Sequence, residues 1–105
     1  MKKVLSIAGS DCSGGAGIQA DLKTFSAHGV FGMSVIVSVV AENTSRVMDI
    51  QNIRPDMVEK QIDAVFEDIG TDAVKIGMLS SVECMDAVAK KMQQYRPRHV
   101  VVDPV

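Results

Sequence analysis

The stretch Val4-Leu5-Ser6-Ile7-Ala8-Gly9-Ser10-Asp11-Cys12-Ser13-Gly14-Gly15-Ala16-Gly17-Ile18-Gln19-Ala20-Asp21 decides how the rest of the chain is read. Val4 to Ala8 is a short apolar run that predicts a strand. Ile18, Leu22 and Phe25 recur at helical spacing, and Gly29 stands where a helix C-terminal cap belongs. Between strand and helix lie four glycines. Glycine lets the backbone take positive φ and lets another group approach closely. A glycine-rich connection bracketed by Asp11 and Asp21 therefore predicts a small-molecule site rather than a simple turn.

Working outward, Met33 to Ala41 is rich in β-branched residues and apolar on both faces, which predicts one strand buried in a parallel sheet. Glu42-Asn43-Thr44-Ser45 reads as a polar loop, and Val47 to Ile53 as a short, more exposed strand. Pro55 opens a helix, with Asp56 and Glu59 near its positive end and Val58, Ile62, Val65, Phe66 and Ile69 as its apolar stripe. Asp72 to Ile76 predicts a strand and Gly77-Met78-Leu79 a loop. Ser80 followed by Glu83 matches a capping box. Val82, Met85, Val88, Ala89 and Met92 line one face of the next helix, Pro97 ends it, and His99 to Asp103 is the last strand.

This alternation predicts a single α/β domain, a mostly parallel sheet flanked by helices in the Rossmann-like manner. Ligands of such sheets bind outside the carboxyl ends of the strands. Those ends are Ala8-Gly9, Val40-Ala41-Glu42, Ile76-Gly77-Met78 and Asp103-Pro104-Val105, and they hold the unusual residues of the sequence.

Composition removes several function classes. The 105 residues are 47% hydrophobic and carry a formal net charge of −2, which gives no basis for binding nucleic acid or a membrane surface. There is no Trp, one Tyr and three Phe, too few aromatics for a base-stacking platform. The longest apolar run, Val30 to Ala41, contains two serines and is too short to span a bilayer. Met1-Lys2-Lys3 and the apolar run after it are likewise too short for a secretion signal. Cys12 and Cys84 belong to no CxxC pair and lack metal-ligand spacing, which fits a reducing cytoplasm.

The loop is not a Walker A loop, because no Gly-Lys-Ser/Thr follows. Gly15-Ala16-Gly17-Ile18-Gln19-Ala20 matches G-x-G-x-x-A, but Gly15 lies well past the strand end, where a dinucleotide turn would have its first glycine nearly abutting the strand. A dinucleotide site and a ligand-free glycine connection remain the alternatives. Glu42 ends a deeply apolar strand, where a charged side chain needs a partner. It could accept hydrogen bonds from an amino group or a protonated ring nitrogen. Asp21, near the second turn of the helix, reads equally as a site residue or a favourable helix-start acid. Asp103 reads equally as a strand-end acid or a metal or phosphate ligand. His28 and His99 read as structural, Met33 and Met78 as packing, and Lys90-Lys91 as a solvated helix face.

Ile7 to Thr24 closely resembles the opening of hydroxymethylpyrimidine/phosphomethylpyrimidine kinases of the ribokinase-like superfamily. The resemblance continues through Val40-Ala41-Glu42-Asn43-Thr44, Lys75-Ile76-Gly77-Met78-Leu79 and Val101-Val102-Asp103-Pro104-Val105, four blocks in order along the whole chain. It implies phosphorylation of 4-amino-5-hydroxymethyl-2-methylpyrimidine and then its monophosphate, with Mg-ATP as co-substrate, in thiamin biosynthesis. It implies that Gly9, Asp21, Val40, Glu42, Met78 and Val105 surround the pyrimidine, and that Asp103 lies toward phosphate and magnesium.

The family's glycine-rich anion hole and its catalytic base have no counterpart in these 105 residues. The resemblance therefore implies the N-terminal part of one kinase domain, carrying the pyrimidine half-site, with no catalytic residue of its own, little affinity for ATP and no kinase activity alone. A pyridoxal-type kinase and a non-catalytic small-molecule-binding module are the other readings. Relatives are often dimers, and exposed sheet predicts either a homodimer or non-native association.

Overall fold

The computed structural model describes residues 1–103. Its first strand, β1 (Lys3–Ala8), is followed by α1 (Gly17–Ala27) and β2 (Phe31–Ile36). The chain continues through β3 (Ser38–Glu42), β4 (Val47–Asn52), α2 (Pro55–Glu67), β5 (Ala73–Ile76), α3 (Val82–Tyr95) and β6 (His99–Val102). Four strands form a wholly parallel sheet in the order β2-β1-β5-β6, and β3 and β4 form a separate antiparallel pair.

Alternation along β1 sets the two faces. Leu5 and Ile7 are fully buried in a core with Met33, Val35, Val74 and Ile76 from neighbouring strands, Val58 and Ile62 from α2, and Cys84 and Val88 from α3. The opposite face packs on α1, and Gly32 marks the close approach. A Cβ there would stand 2.9 Å from the Phe25 ring and 3.0 Å from Leu22. Gly29, at φ 67°, follows the His28 cap and turns the chain from α1 into β2.

The parallel strands, the helix beginning at Pro55 and the strand-end loops agree with the sequence reading. Three expectations are corrected. The apolar run Met33–Ala41 is not one strand. It breaks at Val37, whose amide donates to the Ala8 carbonyl while its own carbonyl accepts from Ile53. Before the break the chain pairs with β1. After it the chain leaves the parallel sheet to form a hairpin with β4, and Val39 becomes half-exposed.

The cap of α3 is Ser81, not Ser80. The Ser81 side chain accepts from the Cys84 amide at 3.1 Å. Its buried face runs through Cys84, Ala87, Val88 and Lys91, leaving Val82 and Met85 exposed, because α3 packs on α2 as well as over the sheet.

Lys91 is therefore not a solvated residue. It is buried between the helices, with Nζ 2.8 Å from Asp63 and 4.0 Å from Glu59. Tyr95 donates to the same Asp63 at 2.5 Å and stacks on Phe66, ring centroids 4.4 Å apart. That Asp63 contact pushes the Tyr95 phenol up to about 12.

Candidate functional site

Strand order reverses direction between β1 and β5: the chain leaves β1 toward β2 on one side and returns as β5 on the other. The loops after these two strands splay apart, and such switch points are where open α/β sheets bind ligands. A cavity of about 700 Å³ opens there. Its walls come from the glycine loop after β1, the loop Gly77–Ser80 after β5, and the β3–β4 hairpin.

The glycine loop is pinned at both ends. The Ile18 amide donates to the Gly9 carbonyl at 2.9 Å. Gly17 has φ 57°, and a Cβ on it would run into the Gly9 carbonyl oxygen, so only glycine fits. The loop then runs along β3 as a makeshift strand partner. The Ser10 amide donates to the Ser38 carbonyl at 2.9 Å, and the Val40 amide donates to Ser10 Oγ at 3.2 Å. Cys12 Sγ donates to the Glu42 carbonyl at 3.0 Å and accepts from the Glu42 amide at 3.3 Å. A Cβ on Gly9 would meet Ser38 Oγ at 2.6 Å, closing off this approach.

Within the loop, Asp11 is nearly buried. Its carboxylate accepts from the Ser13 hydroxyl at 2.6 Å, the Ser13 amide at 2.9 Å and the Gly15 amide at 3.1 Å. The Ser13 hydroxyl foremost, and then the Ser13 amide, hold the Asp11 carboxyl below the ordinary carboxylate range. Asp11 and Glu42 both line the cavity. Glu42 is pushed the other way, first by desolvation on the cavity wall and then by the Asp11 charge beside it.

Four of the residues singled out in the sequence, Gly9, Val40, Glu42 and Met78, line this one cavity. Asp21 does not. Ser6 and Lys75 are register partners on β1 and β5, and both reach the α1 face to bind Asp21. Ser6 Oγ donates to Asp21 Oδ2 at 2.6 Å, and Lys75 Nζ lies 2.9 and 3.1 Å from its two oxygens. Lys75 itself reaches the cavity wall.

Asp103 is exposed at the end of β6, with its amide on the Ile76 carbonyl at 2.9 Å, and is not on that wall. Val105 lies outside the described residues. Asp11, which brackets the glycine loop in the sequence, is on the wall, whereas sequence reading passed over Lys75 as a wall residue. The signal for Lys75 was a charged residue flanked by Val74 and Ile76 inside a buried strand, which requires a partner. Val47, Ile50 and Asn52 joined the wall only through folding of the hairpin.

A parallel α/β sheet flanked by helices, with a largely apolar cavity and a few convergent charges at its switch point, is of the ribokinase-like class. Residues 11–105 match the phosphomethylpyrimidine kinase family model. The chain is 52% identical over 107 residues to the hydroxymethylpyrimidine/phosphomethylpyrimidine kinase of Escherichia coli (strain K12), covering all of this chain and 40% of that protein. It superposes on the crystal structure of phosphomethylpyrimidine kinase from Clostridium difficile 630 with a TM-score of 0.97 at 53% identity, covering 100% of this chain and 46% of that one. Pyridoxal kinase from Staphylococcus aureus in complex with pyridoxal is more distant, with a TM-score of 0.88 at 40% identity over 100% of this chain and 40% of that one. The chain belongs to the phosphomethylpyrimidine kinase family. It spans about 40% of the length of the E. coli relative. Among the described residues no helix is long and apolar enough to cross a membrane.

Proposed function

We propose that the protein containing this chain phosphorylates 4-amino-5-hydroxymethyl-2-methylpyrimidine and its monophosphate with Mg-ATP, as a step of thiamin biosynthesis, and that residues 1–105 form the N-terminal part of its single kinase domain. The observation that carries this reading is the Glu42 carboxyl on the wall of a cavity that Val40, Met78 and the glycine loop also line. A planar heterocycle needs apolar walls against its faces and a polar group at its edge. Val40 and Met78 supply the first, and Glu42 supplies the second by taking the amino group and ring nitrogen.

In this reading Gly9 backs the ring. Asp21 acts at one remove, by holding the Lys75 ammonium at the cavity wall. Among the described residues no three acidic, histidine or cysteine side chains gather to hold a metal ion. Asp103 thus suits magnesium only together with phosphate oxygens, and magnesium enters as part of the ATP co-substrate. Phosphoryl transfer rests on positioning and charge stabilisation, which the rest of the kinase supplies.

The test is calorimetric titration of the protein with the aminopyrimidine and, separately, with pyridoxal. Glu42→Gln removes the acid and should weaken the aminopyrimidine by about ten- to a hundredfold, the worth of a charge-assisted hydrogen bond. Pyridoxal bound more tightly than the aminopyrimidine, or an unchanged affinity in Glu42→Gln, would overturn the assignment.

A further inference from the structure

Ser6, Asp21 and Lys75 form a chain of contacts that ends at the cavity. Ser6 is wholly buried, and its hydroxyl donates to Asp21 Oδ2 at 2.6 Å. Lys75 Nζ donates to the two Asp21 oxygens at 2.9 and 3.1 Å. Two N–H groups suffice for those contacts, and an ammonium has three. Among the described residues no acceptor besides Asp21 bonds this one. The Lys75 side chain keeps 25% of its exposure and lies on the cavity wall, so the spare donor is open to a ligand there. Gly77 leaves the ammonium uncovered. A Cβ at that position would stand 3.5 Å from Lys75 Nζ and 3.1 Å from the Ala8 Cβ. A lysine serving Asp21 alone needs neither the spare donor nor the opening.

The surrounding charges say what kind of group suits this donor. The other ionisable side chains among the described lining residues are Asp11 and Glu42, both carboxyls, and Asp21 stands behind the ammonium. One cation among three carboxyls attracts an anion weakly. An uncharged oxygen needs only the N–H. Glu42 and Lys75 reach the cavity from opposite sides of β1, one through the hairpin that follows β2 and the other on β5. A ligand that meets both therefore carries a donor for Glu42 and a separate acceptor for Lys75. The aminopyrimidine has its amino group for the first and its hydroxymethyl oxygen for the second.

Resting on the substrate reading above, we propose that Lys75 is a specificity-determining residue: its ammonium donates to the oxygen of the substrate's hydroxymethyl arm, and Asp21, fixed in turn by Ser6, positions it. The bond engages one lone pair of the oxygen to be phosphorylated and leaves the other for attack. Holding that oxygen in one place is the kind of orientation from which phosphoryl transfer gains most. The same contact distinguishes a ring with a hydroxyl arm from one with a bare methyl group.

The test is calorimetric titration of the protein containing this chain with the aminopyrimidine and with the analogue that carries a methyl group in place of the hydroxymethyl arm. The unsubstituted protein should prefer the alcohol by about tenfold or more, the worth of a hydrogen bond from a charged donor. Lys75→Met should abolish that preference by weakening the alcohol alone. Because it strands the Asp21 carboxylate, the double variant Lys75→Met/Asp21→Asn is measured beside it, where the Asn amide oxygen still accepts from Ser6. Asp21→Asn alone should reduce the preference by loosening Lys75. An undiminished preference in Lys75→Met or in the double variant overturns the proposal. So does an equal loss for both ligands, which makes Lys75 merely structural, and so does a greater loss for the monophosphate than for the alcohol, which makes it a phosphate site. If the unsubstituted protein binds neither pyrimidine, the substrate reading falls and this contact with it. If it binds both equally, the contact alone falls.

Discussion

The centre of the parallel sheet and the β3–β4 hairpin are written in the same apolar alphabet and end up in opposite environments. Leu5 and Ile7 of β1 are wholly inaccessible, whereas all six residues of β4 are exposed, Met48 at 60% and Ile50 at 54%. The difference lies in what covers each strand. β1 has a strand on either side, α1 on one face and the α2–α3 layer on the other. The hairpin pairs with no strand of the parallel sheet, only with itself and with the glycine loop along β3, and its contribution is the wall made by Val40, Val47 and Ile50 around the cavity. Apolar residues thus serve stability in one region and ligand shape in the other.

The largest expected break in that comparison is Leu5→Ala. Truncating a fully buried leucine loses transfer energy and leaves a cavity, at a cost of about 2–5 kcal/mol. Equilibrium denaturation reads it, and a loss below about 1 kcal/mol would mean that the sheet centre is not the stabilising core.

Next comes Lys91→Met in the layer covering the sheet. It removes the ammonium from Asp63 and Glu59 and should cost about 1–3 kcal/mol by the same measurement. Lys91 first, and Tyr95 second, hold the Asp63 carboxyl below its ordinary 3.8. A depressed acid contributes stability that is complete above its unfolded value and is lost as pH falls through the folded one. Acid unfolding should therefore be less steep in Lys91→Met than in the parent below about pH 4. Identical acid limbs would show that the clamp carries no pH-linked stability.

The smallest stability effect is expected in the hairpin. Ile50→Ser should change stability by no more than about 0.5 kcal/mol, as surface substitutions do, yet weaken the aminopyrimidine, because Ile50 lines the cavity. A large loss of stability with unchanged affinity would reverse the roles assigned to the two regions.

Much of the parallel sheet was legible from local pattern. Val4–Ala8, the stripe Val58–Ile62–Val65 and the Pro55 helix start carry their period in a few adjacent residues, and burial follows that period. The break at Val37 was not legible. Met33 to Ala41 is apolar but for Ser34 and Ser38, and no proline or glycine inside it marks the point where pairing passes from β1 to β4. Nor was the fate of Lys91. Its partner Asp63 is 28 residues away, and a Lys-Lys pair on a helix reads as solvated until another helix is laid against it.

The sequence by itself determined a parallel α/β domain, a glycine loop after the first strand, and the family, since Gly9, Val40, Glu42 and Met78 sit in motifs at strand ends. Their meeting around one cavity, the withdrawal of Asp21 behind Lys75, and the placing of Asp11 and Glu42 on one wall were decided only by the tertiary structure. The reason is separation along the chain. Alternation and helical spacing are local and survive in any window of sequence, whereas Asp11 and Glu42 are 31 residues apart and share a cavity wall only because the loop lies along β3 through Ser10 and Cys12.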